Sequence, residues 1–186
     1  MRTLETRCCI AGGGPAGMML GLLLARAGVD VVVLEKHADF LRDFRGDTIH
    51  PSTLEVMHQL GLLDEFLALP HQEIRELTGI VGGERLQIAD FSHLPVRCPF
   101  IALMPQWDFL DFIGAEARRF PAFRLIMQAE VTGLLENAGR ISGVTTCSNR
   151  PTSRSAAVRN ARRCRGSMPN RAISATVRAI TSASAS

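Results

Sequence analysis

An α/β fold opening on a strand–helix–strand unit is what this sequence predicts, and three observations carry it. Residues 8–36, CCIAGGGPAGMMLGLLLARAGVDVVVLEK, pass from a short apolar run through a glycine-rich turn into helix formers and out into a β-branched run. Gly12, Gly14 and Gly17 fit G-x-G-x-x-G, the turn between first strand and helix in Rossmann-like, dinucleotide-binding units. Glu35 stands 18 residues beyond Gly17, at the end of the second strand, where a carboxylate meets the hydroxyls of an adenosine ribose.

Each element has a physical reason. Cys8–Ala11 is the first strand, and Gly12 permits the tight turn out of it. Gly14 has no Cβ, so the backbone there can approach a diphosphate closely, and Gly17 is expected to let the helix pack on the sheet. Met18–Ala27 supplies Met, Leu, Ala and Arg, with Gly28 as a C-terminal stop. Val29–Leu34 suits a parallel strand covered on both faces. Free N–H groups and the positive end of the helix dipole would then face an anion at Gly12, Gly14, Pro15, Ala16 and Gly17. Two other readings exist: a structural glycine turn without ligand, and a secretory signal made of Arg2, Arg7, the apolar Met18–Leu24 and Ala25-Arg26-Ala27. Glu5, the early GGGPAG and the strand that follows at once argue against export.

The composition bounds the rest. A chain of 186 residues, 46% hydrophobic, is long enough for one domain with a core, or a domain plus a tail. No apolar run reaches the roughly 18 residues that cross a membrane, so no membrane partner is expected. The net charge of +3 averages two unlike parts: residues 1–136 hold all 18 acidic residues, whereas residues 137–186 hold nine arginines and no Asp, Glu or Lys. Cys8, Cys9, Cys98, Cys147 and Cys164 show neither zinc spacing nor C-x-x-C, so no metal is expected and the setting reads as reducing and cytoplasmic.

After the fingerprint, residues 37–50 read as a polar loop carrying Arg42 and Arg45; the Arg45-Gly46-Asp47 tripeptide is coincidental in a chain without an export signal. Ser52 and Glu55 spell a capping box at a helix start, with Leu54, Met57 and Leu60 on its apolar side, His58 on its surface and Gly61 at its end. Leu62–Leu69 reads as a short second helix before Pro70. The period then changes to two: Glu73–Val81 and Glu84–Phe91 around Gly82-Gly83 form a hairpin, and Val96–Met104 a further strand. Gln106–Phe120 returns to helix, with Phe109, Phe112, Ile113 and Ala117 on one side. Phe123–Glu136 and Arg140–Thr146 read as one more hairpin about Asn137-Ala138-Gly139.

In order, GGGPAG, VVVLEK, Arg45, HPSTLE, LGLLDEF and PQWDFLDFI resemble the N-terminal part of the single-component flavoprotein aromatic hydroxylases, the group of para-hydroxybenzoate hydroxylase and phenol hydroxylase. The resemblance covers residues 5 to about 145. It implies a glutathione-reductase-like FAD-binding domain, residues 1–72 and 105–146, with the start of a β-rich substrate domain inserted at 73–104. It implies that the glycine turn binds the FAD diphosphate and that Glu35, with Lys36 beside it, takes the adenosine ribose. It places Arg45 at the diphosphate and ribityl region and Gln106 at the ribityl chain. It further implies NAD(P)H as co-substrate, dioxygen and a small phenolic substrate as partners, and hydroxylation through a flavin hydroperoxide. A flavin-dependent halogenase or reductase of the same superfamily remains an alternative, as does a non-catalytic dinucleotide- or RNA-binding protein. No acid–base residue stands out, because the cofactor carries the chemistry.

Two family motifs, D-G-x-x-S-x-x-R and a later Gly-Asp, do not occur, so the chain is expected to be truncated, to bind FAD weakly and to turn over nothing. Residues 147–186, mostly Arg, Ser and Ala, are expected to be a disordered basic tail. A nucleic-acid arm, a flexible linker and a frameshift near residues 137–147 compete to explain it. The frameshift reading is favoured, since out-of-frame GC-rich codons yield this composition. Nucleic acid is not expected as a partner, because no aromatic residue is interleaved with the arginines.

Overall fold

A computed structural model of the chain describes residues 2–41, 47–148 and 173–179. In chain order the elements are β1 (Arg2–Thr6), β2 (Cys8–Ala11), α1 (Pro15–Arg26), β3 (Val31–Leu34), β4 (Thr48–Ile49), α2 (Pro51–Gln59), α3 (Leu63–Leu67), β5 (Gln72–Ile74), β6 (Glu76–Val81), β7 (Glu84–Asp90), β8 (Ile101–Leu103), α4 (Gln106–Arg118), β9 (Phe123–Ile126), β10 (Ala129–Asn137), β11 (Arg140–Ser148) and β12 (Ile173–Ala179). They fall into two compact units, residues 1–39 with 116–186, and residues 40–115.

The first unit has three layers. Its middle layer is a parallel sheet in the order β2-β3-β9, with Cys9 opposite Val32 and Val32 opposite Arg124. All four residues of β3 are buried, because the strand is covered on both faces, and that is why it reads as an unbroken VVVL. On one side lies α1, where a Cβ on Gly21 would come within 2.8 Å of both Val33 and Phe123. Gly21 therefore shares the close helix-to-sheet packing expected of Gly17, whose own Cβ would lie 3.3 Å from Ile10 of β2. The helix closes at Gly28 (φ +74°), with Gly28 N–H donating to Ala25 O and Val29 N–H to Leu24 O, the paired bonds of a Schellman cap. On the other side lies a second sheet, β1-β12-β11-β10. Val32 and Leu34 meet Ala129 and Val177 there, with Leu4, Cys9, Val131 and Val144 around them. Burial, aided by the neighbouring Cys8, pushes the Cys9 thiol up to about 11, as suits a core thiol.

Two expectations change in this unit. Phe123–Ile126 is no hairpin arm: it joins the parallel sheet beside β3, and the chain turns at Gln128 before β10 begins. The hairpin proper is β10–β11, turned at Ala138 (φ +50°) and Gly139 (φ +73°). The tail expected to be disordered contributes strand β12, parallel to β1 and antiparallel to β11. Its sequence explains this: Ile173, Ala175, Val177 and Ala179 alternate with Ser174, Thr176 and Arg178, a period-two pattern that the arginine-rich composition conceals. Cys147 and Ser148, also of that tail, end β11, and its other residues lie outside the described ones.

The second unit is built on α2, α3 and α4 with short antiparallel strands. Helix α2 starts at Pro51 with His50 as N-cap and no side-chain cap, so Ser52 lies inside the helix and the expected capping box does not form. Pro51 at the first helical position sets the start instead. Gly61 (φ +74°) ends it as a second Schellman cap, with Leu62 N–H on Met57 O. Fully buried Phe66 stands edge-on to Phe109 and Phe112, with centroids 5.7 and 5.3 Å away. Helix α3 thus packs on α4 through Phe66, and the sheet β4-β8-β5 belongs to the same unit, which begins at residue 40. The hairpin β6–β7 turns at Gly82 and Gly83, both at positive φ as a two-residue turn requires.

A Gly21→Leu substitution tests the layer packing. It should destabilise the chain by about 1–3 kcal/mol through overpacking, read from the urea midpoint; an unchanged midpoint would refute the close approach of α1 to β3 and β9.

Candidate dinucleotide site

The site lies at the C-terminal ends of β2 and β3, within the first unit. Gly12 (φ +112°) turns the chain out of β2 after its N–H donates to Leu34 O at 2.8 Å, so the turn stays tied to the neighbouring strand. A Cβ on Gly17 would run into the carbonyl oxygen of Gly12, so only glycine fits where the helix doubles back on the turn. A Cβ on Gly14 would meet nothing within 4 Å; space stays open in front of the backbone there.

Helix α1 begins without help from side chains. Gly14 is the N-cap, no side chain accepts from the first turn, and no acidic residue occurs in it. Pro15 brings no N–H, while Met18 N–H already donates to Gly14 O. That leaves the N–H groups of Ala16 and Gly17 at the positive end of the dipole, without an intrahelical acceptor.

Glu35 is 6% exposed, and its carboxylate takes two backbone donors: Gly13 N–H on Oε2 at 2.8 Å and His37 N–H on Oε1 at 2.9 Å. Its backbone is held too, N–H on Ile126 O and C=O receiving Ala129 N–H. The carboxylate that the spacing singles out is therefore tied to the glycine turn itself. A carboxylate has about four acceptor directions, more than these two backbone bonds use. Gly13 was not legible as part of the motif. A Cβ there would lie 3.0 Å from Glu35 Cβ, so the middle of three consecutive glycines lets the carboxylate close on the turn.

The structure thus brings together Gly12, Gly14, Pro15, Ala16, Gly17 and Glu35; Lys36 follows, exposed. Gln106 is the half-buried first residue of α4 in the second unit. Arg45 lies outside the described residues.

The sequence profile described as FAD binding domain matches residues 5–158. The chain belongs to this FAD-binding family. A 6-methylpretetramide 4-monooxygenase of Streptomyces rimosus is 30% identical over 140 residues, 75% of this chain and 34% of that protein. A p-hydroxybenzoate hydroxylase of Acinetobacter baylyi is 36% identical over 99 residues, 50% of this chain and 23% of that protein. The crystal structure of a p-nitrophenol 4-monooxygenase from Pseudomonas putida shares the fold, with a TM-score of 0.67 at 24% identity over 95% of this chain and 40% of that one. The chain therefore spans about a third or less of the curated relatives it matches here. FAD is the cofactor of the family, and the residues present fit its adenosine diphosphate half: an uncapped helix end, open space at Gly14 and a buried acceptor beside them.

Glu35→Gln is the sharp test of this geometry. An amide can accept only one of the two N–H groups and must turn its own NH2 toward the other. Stability should fall by about 1–3 kcal/mol, measured by urea unfolding; a midpoint equal to that of the unsubstituted chain would show that Gly13 and His37 do not depend on the carboxylate.

Proposed function

We propose that this chain holds FAD for an NAD(P)H-dependent monooxygenase that hydroxylates a small phenolic substrate with dioxygen. The observation that carries the reading is the junction of the glycine turn, the uncapped start of α1 and the buried Glu35, in a chain of the FAD-binding family. The names of the relatives, a p-hydroxybenzoate hydroxylase and a 6-methylpretetramide 4-monooxygenase, support an aromatic substrate. The free cysteines among the described residues support a cytoplasmic setting, and no helix of those residues is long and apolar enough to cross a membrane.

In this reading the N–H groups of Ala16 and Gly17 receive the diphosphate, with Gly12, Gly14 and Pro15 shaping the approach. Glu35 accepts from the ribose hydroxyls and Lys36 lies beside them. Gln106 and Arg45 are assigned to the ribityl and diphosphate region. Arginine suits that position because its planar fork of donors matches phosphate oxygens. Bound flavin would supply the redox chemistry, with NAD(P)H as reductant and dioxygen giving one atom to the ring and the other to water. The protein's own share is to bind and orient it.

The test is titration of the full chain with FAD, followed by flavin fluorescence. Saturable quenching that ADP reverses and FMN does not is the expected result, since FMN lacks the adenosine half; indifference to both FAD and ADP would overturn the reading. NADPH oxidation with a panel of phenols then addresses the reaction. Because the two further family motifs do not occur in the sequence, no product is expected from this chain itself; a hydroxylated product carrying oxygen from dioxygen would overturn that expectation, and halogenation in its place, with halide present, would argue for the related chemistry.

A further inference from the structure

We propose that the corner between β9 and β10, turned by Gln128, is a positioning device for Glu35 and so sets the affinity of the adenosine end of the site. This rests on the FAD reading above. Gln128 has φ +58° and is one of two non-glycine residues at positive φ among those described; the other, Ala138, lies in an exposed hairpin turn. Along an extended strand, successive N–H groups point to opposite sides. Here the consecutive N–H groups of Gln128 and Ala129 both serve the same short segment, donating to His37 O at 2.9 Å and Glu35 O at 2.8 Å. The left-handed backbone at Gln128 makes that double engagement possible. Ile126 O adds a third tie by accepting Glu35 N–H at 2.9 Å.

His37 links the corner to the carboxylate. Its C=O is held by Gln128, while its own N–H donates to Glu35 Oε1. A corner that relaxed to an extended backbone would release His37 O, free residue 37 to shift on both sides of its Cα, and loosen the N–H that it donates to Glu35 Oε1. Gln128 thus acts through Glu35 rather than on the ligand. It is a positioning residue, paid for by backbone strain at one residue.

The experiment measures ADP and 2′,3′-dideoxy-ADP affinity by calorimetry on the full chain and its variants. Isoleucine is β-branched and resists positive φ, so Gln128→Ile should weaken ADP about tenfold, while Gln128→Gly, which keeps the conformation, stays within about twofold. The dideoxy analogue lacks the hydroxyls that Glu35 would accept, so Gln128→Ile should cost it no more than about twofold. Should the isoleucine variant not fold, Gln128→Ala should show the same pattern at about threefold. Equal ADP affinity in the variants and the unsubstituted chain overturns the corner's role alone. An equal loss for both nucleotides also overturns it, because a merely structural defect would act that way. Failure of the unsubstituted chain to bind ADP overturns this proposal and the FAD reading together.

Discussion

The hydrogen bond from Gly13 N–H to the Glu35 carboxylate is the constraint on which the first unit's site depends. It joins the turn after the first parallel strand to the residue after the second, two points 22 residues apart in sequence. Charge-assisted bonds from backbone donors to a buried carboxylate are worth about 1.5–3 kcal/mol each. Two such bonds to Glu35 help to offset the cost of burying its charge. The turn and the carboxylate therefore form or fail together. Everything beneath them serves to bring the ends of β2 and β3 level: the in-register parallel pairing, the tie from Gly12 to Leu34, and apolar cover on both faces of β3.

The cover on β3 is less obvious than the strand itself. On the helix side it depends on Gly21, where absence of a side chain lets α1 approach Val33 and Phe123. On the other side it depends on Val177, 2% exposed and more than 140 residues away from Val32 in the chain. A strand from the far end of the sequence thus completes the core beneath the glycine turn. It does so between β1 and β11, where its backbone groups find partners on both edges.

Much of this was legible, and the misses have physical causes. Cys8–Ala11, the glycine turn, α1, β3 and Glu35 carry local signals: a β-branched run, helix formers, glycines at fixed offsets. Those signals need no tertiary context. The capping box at Ser52 and Glu55 does not form because Pro51 starts the helix two residues earlier, and proline at the first position outweighs a cap that would begin inside it. Phe123–Ile126 was assigned to the wrong sheet because a four-residue apolar run looks alike in a hairpin and in a parallel sheet. Only the left-handed Gln128 separates them, and glutamine gives no warning of positive φ. Strand β12 is hard to see because its alternation lies within a stretch rich in Arg, Ser and Ala. Gly13 escaped because the fingerprint counts the first and third of three glycines, while the contact that needs the middle one comes from a residue 22 positions on.

The bare start of α1 closes the argument. Helices gain about 1 kcal/mol from a Ser, Thr, Asp or Asn cap, and α2 and α3 also lack a side-chain cap. For those two the omission has local compensation: proline at the first position of α2, and Asp64 and Glu65 in the first turn of α3. Helix α1, like α2, has a proline and no acid in its first turn; what sets it apart is the open space at Gly14 and the carboxylate of Glu35 bonded to Gly13 and His37 beside the turn. An acid at the front of α1 would satisfy the dipole and repel a diphosphate. Its absence, next to open space at Gly14, is what a helix end intended for an external anion requires. The chain thus keeps its strongest acceptor one strand away, fixed by the backbone, where it can take hydroxyls without competing for the phosphates.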